Sequence, residues 1–286
     1  MTDNQRGKKL LRPLAALALL IVAGTLAAKV WQLDSRLKAL EHSVDDLRSA
    51  SGSPVGGPTI AERVSYNGTT FDTCQVDLTK LKVRLYFKDG KGQRLGSLQS
   101  LKEYVESESN SLLFATNAGM YTAEGAPLGL FIQNGHQVSP LNSRDGTDNF
   151  YLKPNGILAV TDKRAYILES SRFGAESKSV SHSDPILFAT QSGPMLVIDG
   201  KIHPAFQPNS DNKVIRSGVG LISPTRVVFA ISDRPVNFYD FAMLFKDRFK
   251  CDDALFLDGV VSRMYLPALK RYDDGGDFAA LIGIVK

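Results

Sequence analysis

Between Leu14 and Ala28 the chain runs for 15 residues without a charged side chain, and directly before this run stand Arg6, Lys8, Lys9 and Arg12 against a lone Asp3. Leu10 and Leu11 before it, and Val30 and Trp31 after it, lengthen the apolar region to about 20 residues, enough for a helix to cross the hydrocarbon core of a bilayer. A cleaved signal peptide is the other reading, since Thr25-Leu26-Ala27-Ala28 offers small residues for cleavage. The helical pattern that continues past residue 30 favours an anchor. The basic cluster then stays in the cytoplasm and the rest of the chain is exported. The expected layout is a cytoplasmic tail over 1–12 and a single-pass signal anchor over 13–31 in an inner or plasma membrane. Everything that follows lies on the periplasmic or extracellular side.

Val30, Leu33, Leu37, Leu40, Val44 and Leu47 recur at alternating spacings of three and four, with Asp34, Arg36, Lys38, Glu41, Asp45, Asp46 and Arg48 at polar positions between them. This is a heptad seam, and it predicts a short coiled-coil-like stalk over 32–48 that pairs weakly with a second copy through residues 30–48. A monomeric amphipathic stalk has the same letters, because fewer than three heptads are marginal alone. Ser49 to Thr59 is rich in Ser, Gly and Pro and reads as a linker, leaving 60–286 as the folded domain. The formal net charge is +4, most of it in the first twelve residues. A nearly neutral domain lacks the broad basic face that nucleic acid requires, so that class of partner is excluded.

Within the domain, short apolar or alternating runs are punctuated by turn dipeptides. Candidate strands are 70–78, 83–87, 112–116, 128–133, 157–161, 164–168, 195–198, 214–222, 226–231, 254–257 and 279–285. Asn134-Gly135, Asn155-Gly156 and Asp199-Gly200 each separate two such runs and read as hairpin turns. Two segments have helical periodicity: Leu98, Leu101 and Val105 after Ser97, and Phe238, Phe241, Phe245 and Phe249 after the Asn237/Asp240 cap pair. Many strands and few helices predict an α+β domain built on mixed, mostly antiparallel β-sheet.

The motif search prunes several chemistries. There is no phosphate loop of the G-x-x-x-x-G-K-[ST] type, no G-x-S-x-G elbow, no H-E-x-x-H and no C-x-x-C. What remains is a set of strand ends where glycine meets a polar residue. Asn117-Ala-Gly119 can present N–H groups beside a carboxamide. Arg216-Ser-Gly218-Val-Gly220 puts a guanidinium near two glycines that let another backbone or a ligand approach. Ala254 to Leu257 drives four apolar residues straight into Asp258, and Ile231-Ser232-Asp233 ends another strand in a carboxylate; such groups are costly unless paired, hydrogen-bonded or bound to a cation. Asn117, Arg216, Asp233 and Asp258 are therefore expected to converge on one pocket. Cys74 and Cys251 are the only cysteines. In an exported domain they form either a bridge or two buried thiols.

Asn117-Ala-Gly119-Met-Tyr, Ser192-Gly193-Pro-Met-Leu-Val-Ile-Asp-Gly200, Arg216-Ser-Gly218-Val-Gly and Ala254-Leu-Phe-Leu-Asp258-Gly259-Val-Val-Ser262 stand in an order and approximate spacing that resembles the phosphodiester glycosidase family. The likeness covers most of residues 60–286. It implies an exported hydrolase that cleaves the glycosyl-phosphate bond of a sugar-1-phosphodiester in the cell envelope, with a sugar phosphodiester or envelope glycan as its partner. Asp258, Asp233 and Asn117 would then be catalytic, and Arg216, Gly119, Ser262, Arg263, Gly193 and Gly218 would bind substrate. A carboxylate suits the oxocarbenium-like state of such a reaction, and cationic and N–H donors suit the departing phosphate. A divalent cation between Asp258 and Asp233 is chemically compatible with this set. Val260 and Val261 replace glycines in the family's Leu-Asp-Gly-Gly-like loop, and Ala118 replaces another, so the same resemblance admits a non-catalytic envelope glycan-binding or exopolysaccharide-related scaffold protein.

Overall fold

The alternation of apolar and polar residues resolves into antiparallel pairs. A computed structural model describes residues 59–181, 184–258 and 261–286, all within one unit, Gly56–Lys286. The anticipated tail, membrane span, stalk and linker lie outside the described residues. In chain order the strands are β1 (Thr59–Tyr66), β2 (Thr69–Asp77), β3 (Lys82–Tyr86), β4 (Leu112–Asn117), β5 (Phe131–Gln133) and β6 (His136–Ser139). They continue as β7 (Gly156–Val160), β8 (Ala165–Glu169), β9 (Phe188–Ser192), β10 (Met195–Ile198), β11 (Lys201–Ile202) and β12 (Ser217–Ser223). The last are β13 (Arg226–Ser232), β14 (Ala254–Asp258), β15 (Met264–Leu266), β16 (Arg271–Tyr272) and β17 (Leu281–Val285). Three helices, α1 (Leu98–Ser107), α2 (Phe173–Ser181) and α3 (Phe238–Met243), complete the described set of α-helices.

The strands form a seven-stranded sheet in the order β1-β2-β13-β12-β14-β10-β11 and two five-stranded sheets, β16-β15-β4-β17-β3 and β6-β5-β9-β7-β8. Every strand pairing among the described residues is antiparallel. The class is the expected α+β.

Both faces of the large sheet are buried, and β13 displays the reason. Val227, Phe229 and Ile231 face a central core that draws residues from all three sheets, whereas Val228 and Ala230 face a second core. The second core is closed by α3, whose Asn237 cap accepts from the Asp240 N–H at 2.8 Å. Phe241 and Phe245 lie on the buried side, and the helix passes into a π-turn over Leu244–Arg248. α1 covers the outer face of the second sheet through Leu98, Leu101 and Val105.

Asn134-Gly135 and Asp199-Gly200 turn hairpins as expected, each with positive φ at both residues. Asn155-Gly156 does not. Gly156 lies inside β7, paired with Glu169 on one side and Ser192 on the other, while the Asn155 carboxamide donates to the Phe150 carbonyl at 2.8 Å. A further turn of the same kind, Asn67-Gly68, joins β1 to β2.

Candidate functional site

At one end of the large sheet β12 begins, β14 ends, and the pairing between them slips. Gly218 stands opposite Phe256, but Ser217 stands opposite Asp258, so Leu257 is the extra residue of a β-bulge. Without the slip, alternation would carry Asp258 to the face of Phe256. With it, Asp258 shares the face of Ser217. β4 of the second sheet ends at this point, and Asn117 is its last residue.

A buried hydrogen-bond hub fastens the two sheets. Asn117 Oδ1 accepts from Ser217 Oγ at 3.0 Å, from Thr116 Oγ1 at 3.2 Å and from the Arg263 N–H at 3.3 Å. Its Nδ2 donates to the Ala118 carbonyl at 3.3 Å. Ser262 donates to Ser217 Oγ at 3.0 Å and also to the Asp258 carbonyl, and Ser192 donates to the Leu257 carbonyl at 2.8 Å. Asn117, Ser217 and Ser262 are nearly sealed from solvent, whereas Asp258 is only half-buried. The arrangement fixes the backbone of Asp258, and the residue as a whole stays partly exposed.

Around it lie three groups. Burial raises the Tyr121 phenol above its ordinary range, and the carboxylates of Asp258 and Asp277 raise it further, with Arg94 opposing. Arg94 pairs with Asp277 at 2.6 Å. A Cβ at Gly125 would meet Arg94 Nη1 at 2.5 Å, and Gly125 has φ +72°, so glycine both makes the turn and admits the guanidinium. The phenol thus sits within electrostatic reach both of the Asp258 carboxylate and of the Arg94–Asp277 pair.

The other anticipated residues fall differently. Arg216 precedes Ser217 and so takes the opposite face of β12. It is 0% exposed, with Nε donating to the Val236 carbonyl at 2.8 Å, Nη2 to the Asn212 carbonyl at 2.9 Å, and its guanidinium 3.5 Å over the Phe238 ring. Burial lowers its pKa to about 10. It packs the second core and does not face Asp258. Asp233 follows the last residue of β13, a strand separated from β14 by β12, about 10 Å in strand spacings. It opens into a neighbouring depression of about 550 Å³ with Arg63, Asp72, Lys270 and Arg271. The lining of that depression does not include Asp258, and among the described residues no group of three or more His, Cys, Asp or Glu is arranged around an ion.

Three glycines expected to touch substrate instead permit close packing. A Cβ on Gly119 would lie 2.2 Å from the Gln191 carbonyl oxygen, one on Gly193 2.6 Å from Asn155 Cβ, and one on Gly218 3.0 Å from the Leu255 carbonyl oxygen. The anticipated N–H donors are also committed: Ala118 N donates to the Ala280 carbonyl and Gly119 N to Thr190 Oγ1. Arg263 directs Nε to the Asp274 carbonyl at 3.0 Å and Nη1 to its neighbour's carbonyl at 2.9 Å, so it braces the loop. Cys74 and Cys251 are free buried thiols in different cores, and burial pushes Cys74 up to about 12. The sheet stands between them, which precludes the bridge.

Of the residues the motifs indicated, Asn117, Asp258, Ser262 and Arg263 come together. Ser217 and Tyr121 lay within the quoted motifs but were not singled out, and the loop residue Arg94 carried no local signal.

The described residues form a β-rich α+β domain in which a strand-end aspartate is held by an Asn/Ser hub. The model of the phosphodiester glycosidase family matches residues 110–280, more than half of the chain, and the chain belongs to that family. It is 36% identical over 185 residues to the uncharacterized protein YigE of Escherichia coli K12, covering 65% of this chain and 70% of that protein. Its fold is similar to that of the zebrafish N-acetylglucosamine-1-phosphodiester alpha-N-acetylglucosaminidase catalytic domain auto-inhibited by its pro-peptide. That match has a TM-score of 0.53 at 15% identity and covers 82% of this chain and 84% of the other.

Proposed function

We propose that this chain is a membrane-anchored, exported hydrolase that cleaves the glycosyl-phosphate bond of a sugar-1-phosphodiester in the cell envelope. The observation that carries the reading is the bulge at Leu257, which turns Asp258 onto the face held by Asn117, Ser217 and Ser262. Asp258 supplies negative charge to the oxocarbenium-like sugar carbon or directs water to it. Tyr121 keeps its proton at neutral pH and can donate to a phosphate oxygen, and Arg94, paired with Asp277, is the cation within reach of that phenol. A phosphate leaving group is already acidic, so a carboxylic acid poised to protonate it is not required. Asn117 is a positioning residue, because both ends of its carboxamide are bonded within the protein.

The charge step across Leu14–Ala28 supports a single-pass anchor in the inner or plasma membrane with the domain on the periplasmic or extracellular side, raised on a stalk that dimerises weakly through residues 30–48. The test is hydrolysis of sugar-1-phosphodiesters, including nucleotide sugars, by the full chain in water enriched in heavy oxygen. We expect the label in the sugar product. Label in the phosphate would indicate P–O cleavage, and binding without turnover would favour the scaffold reading.

A further inference from the structure

Thr70 and Asp72 alternate onto one face of β2, where the strand register sets Arg63 of β1 beside Asp72. β13 and β12 stand between β2 and the strand that carries Asp258. With Asp233 and the run Lys270 to Asp273, these three residues line the depression of about 550 Å³. Its floor is a closed set of charges. Arg63 donates from Nε to Asp72 Oδ1 at 2.7 Å and from Nη2 to Oδ2 at 3.2 Å, and Arg271 Nη1 reaches the same Oδ2 at 3.0 Å. The other branches of Arg271, Nε and Nη2, hold Asp273 at 2.8 to 3.1 Å. The Asp72 side chain is only 4% exposed, and a carboxylate so far out of water is costly unless fully compensated; the two guanidiniums supply that compensation. Two positive and two negative groups cancel, so the floor favours neither sign of ion.

The walls differ from the floor. Asp233 is exposed, its backbone N–H donates to the Thr70 carbonyl at 3.0 Å, and its carboxylate makes no ion pair among the described residues. Lys270 is exposed too, set at φ +56° where the turn Pro267–Leu269 ends, and it also pairs with no carboxylate among the described residues. An anion alone would meet Asp233, and a cation alone would meet Lys270. A molecule that carries both charges matches both walls and leaves the floor undisturbed. Tyr272 adds an apolar surface: it is 58% exposed, and its ring stands edge-on to Tyr265 with centroids 5.7 Å apart at 64°. The volume lies within the range of about 300–1,000 Å³ usual for small-molecule sites.

We infer that this depression binds a zwitterionic amino acid or short peptide, with the ammonium group on Asp233, the carboxylate on Lys270 and a side chain against Tyr272. The site is independent of the reaction at Asp258, and binding is read without turnover. Calorimetry on the full chain at low ionic strength would use L-alanine, its dipeptide and its tripeptide, each also with the amine acetylated or the carboxylate amidated. We expect at least one unblocked compound to bind about fivefold more tightly than either of its blocked forms, the size of one exposed ion pair. Asp233→Asn should erase the penalty for acetylation and keep that for amidation, and Lys270→Met should do the reverse. Both side chains are exposed, so neither substitution removes a buried contact. Tightest binding of alanine itself would support a free amino acid, and tightest binding of a longer member would support a peptide. Absence of binding by all three, equal affinity for free and blocked forms, or penalties that survive both substitutions would overturn the site. Inorganic phosphate bound more tightly than every zwitterion, with loss in Lys270→Met, would overturn it as well and leave a simple anion site.

Discussion

Ser217 Oγ donates to Asn117 Oδ1 at 3.0 Å across 100 residues of chain, and that bond ties the seven-stranded sheet to the end of β4. Asn117 Oδ1 accepts from two further donors, so truncation orphans several polar groups in a region sealed from water. Asn117→Ala should cost about 2–3 kcal/mol, measured by urea unfolding. Ser217→Ala removes one donor to Asn117 Oδ1 and to the Asp258 carbonyl and one acceptor of the Ser262 hydroxyl, each of which keeps another partner, and should cost about 1 kcal/mol. Equal losses for the two variants would mean that the hub is not centred on Asn117.

Asp258→Asn preserves size and leaves the backbone carbonyl that accepts from Ser217 and Ser262 in place. Turnover of a sugar-1-phosphodiester should fall by a factor of about 10³ or more, with the unfolding midpoint nearly unchanged. Tyr121→Phe should lower kcat about tenfold and leave KM within twofold, since the donated proton matters most as charge develops on phosphate. An Asp258→Asn enzyme with ordinary kcat would reject the catalytic assignment.

Arg216 separates a binding role from a packing role. Its substitution by Met strands the Val236 and Asn212 carbonyls beneath Phe238 and should cost about 2–3 kcal/mol of stability. Lys keeps the charge but cannot reproduce the two-branched geometry, so Arg216→Lys should also destabilise. In both variants the KM of the folded fraction should stay within twofold. A tenfold rise in KM without loss of stability would return Arg216 to the substrate.

The pattern of legibility follows from what each signal reports. Turn dipeptides and period-two alternation are local, and they disclosed β2, β3, β10, β13 and β17 to within a residue or two. β9 escaped because Thr190, Gln191 and Ser192 are polar letters in a fully buried strand. They are tolerated there since Gln191 bonds Leu130 and Asn142 at 2.7 to 2.9 Å, which no local pattern announces. The motifs located Asn117, Asp258, Ser262 and Arg263 because glycine-polar strand ends mark close approaches. They could not tell an approach by a ligand from one by a neighbouring strand, and Gly119, Gly193 and Gly218 proved to be the latter. Arg216 was misplaced because the face a residue occupies depends on register, and the bulge that re-aims Asp258 has no sequence signature.

Gly119→Ala tests the packing reading of that glycine directly. Its Cβ would fall 2.2 Å from a backbone carbonyl oxygen of β9, which cannot rotate away. The variant should lose about 3 kcal/mol or more, or fail to fold. A stable Gly119→Ala protein with impaired substrate binding would instead place the glycine at the ligand.

Asp253 gives a pH signature of known sign. Burial raises its pKa from the ordinary carboxylate range to about 6, and neighbouring Asp199 and Asp252 push in the same direction, against the Asp199 N–H that donates to it and the cation of Arg172. The unfolded chain releases this proton near pH 4 and the folded protein near 6. Between those values the folded state binds more protons, so stability attributable to Asp253 falls as pH rises through the window and is flat above it. Asn at this position can still accept from the Asp199 N–H but never carries the charge. Asp253→Asn should therefore leave stability unchanged near pH 4 and raise it by about 1–2 kcal/mol above pH 7, as read from urea midpoints at a series of pH values. Asp72 titrates with the opposite sign, held below its ordinary range by Arg63 and Arg271 despite burial, and it is common to both proteins. The difference between the two pH curves isolates Asp253, and a difference that stays constant from pH 4 to 8 would show that its carboxylate is ionised in the fold at no cost.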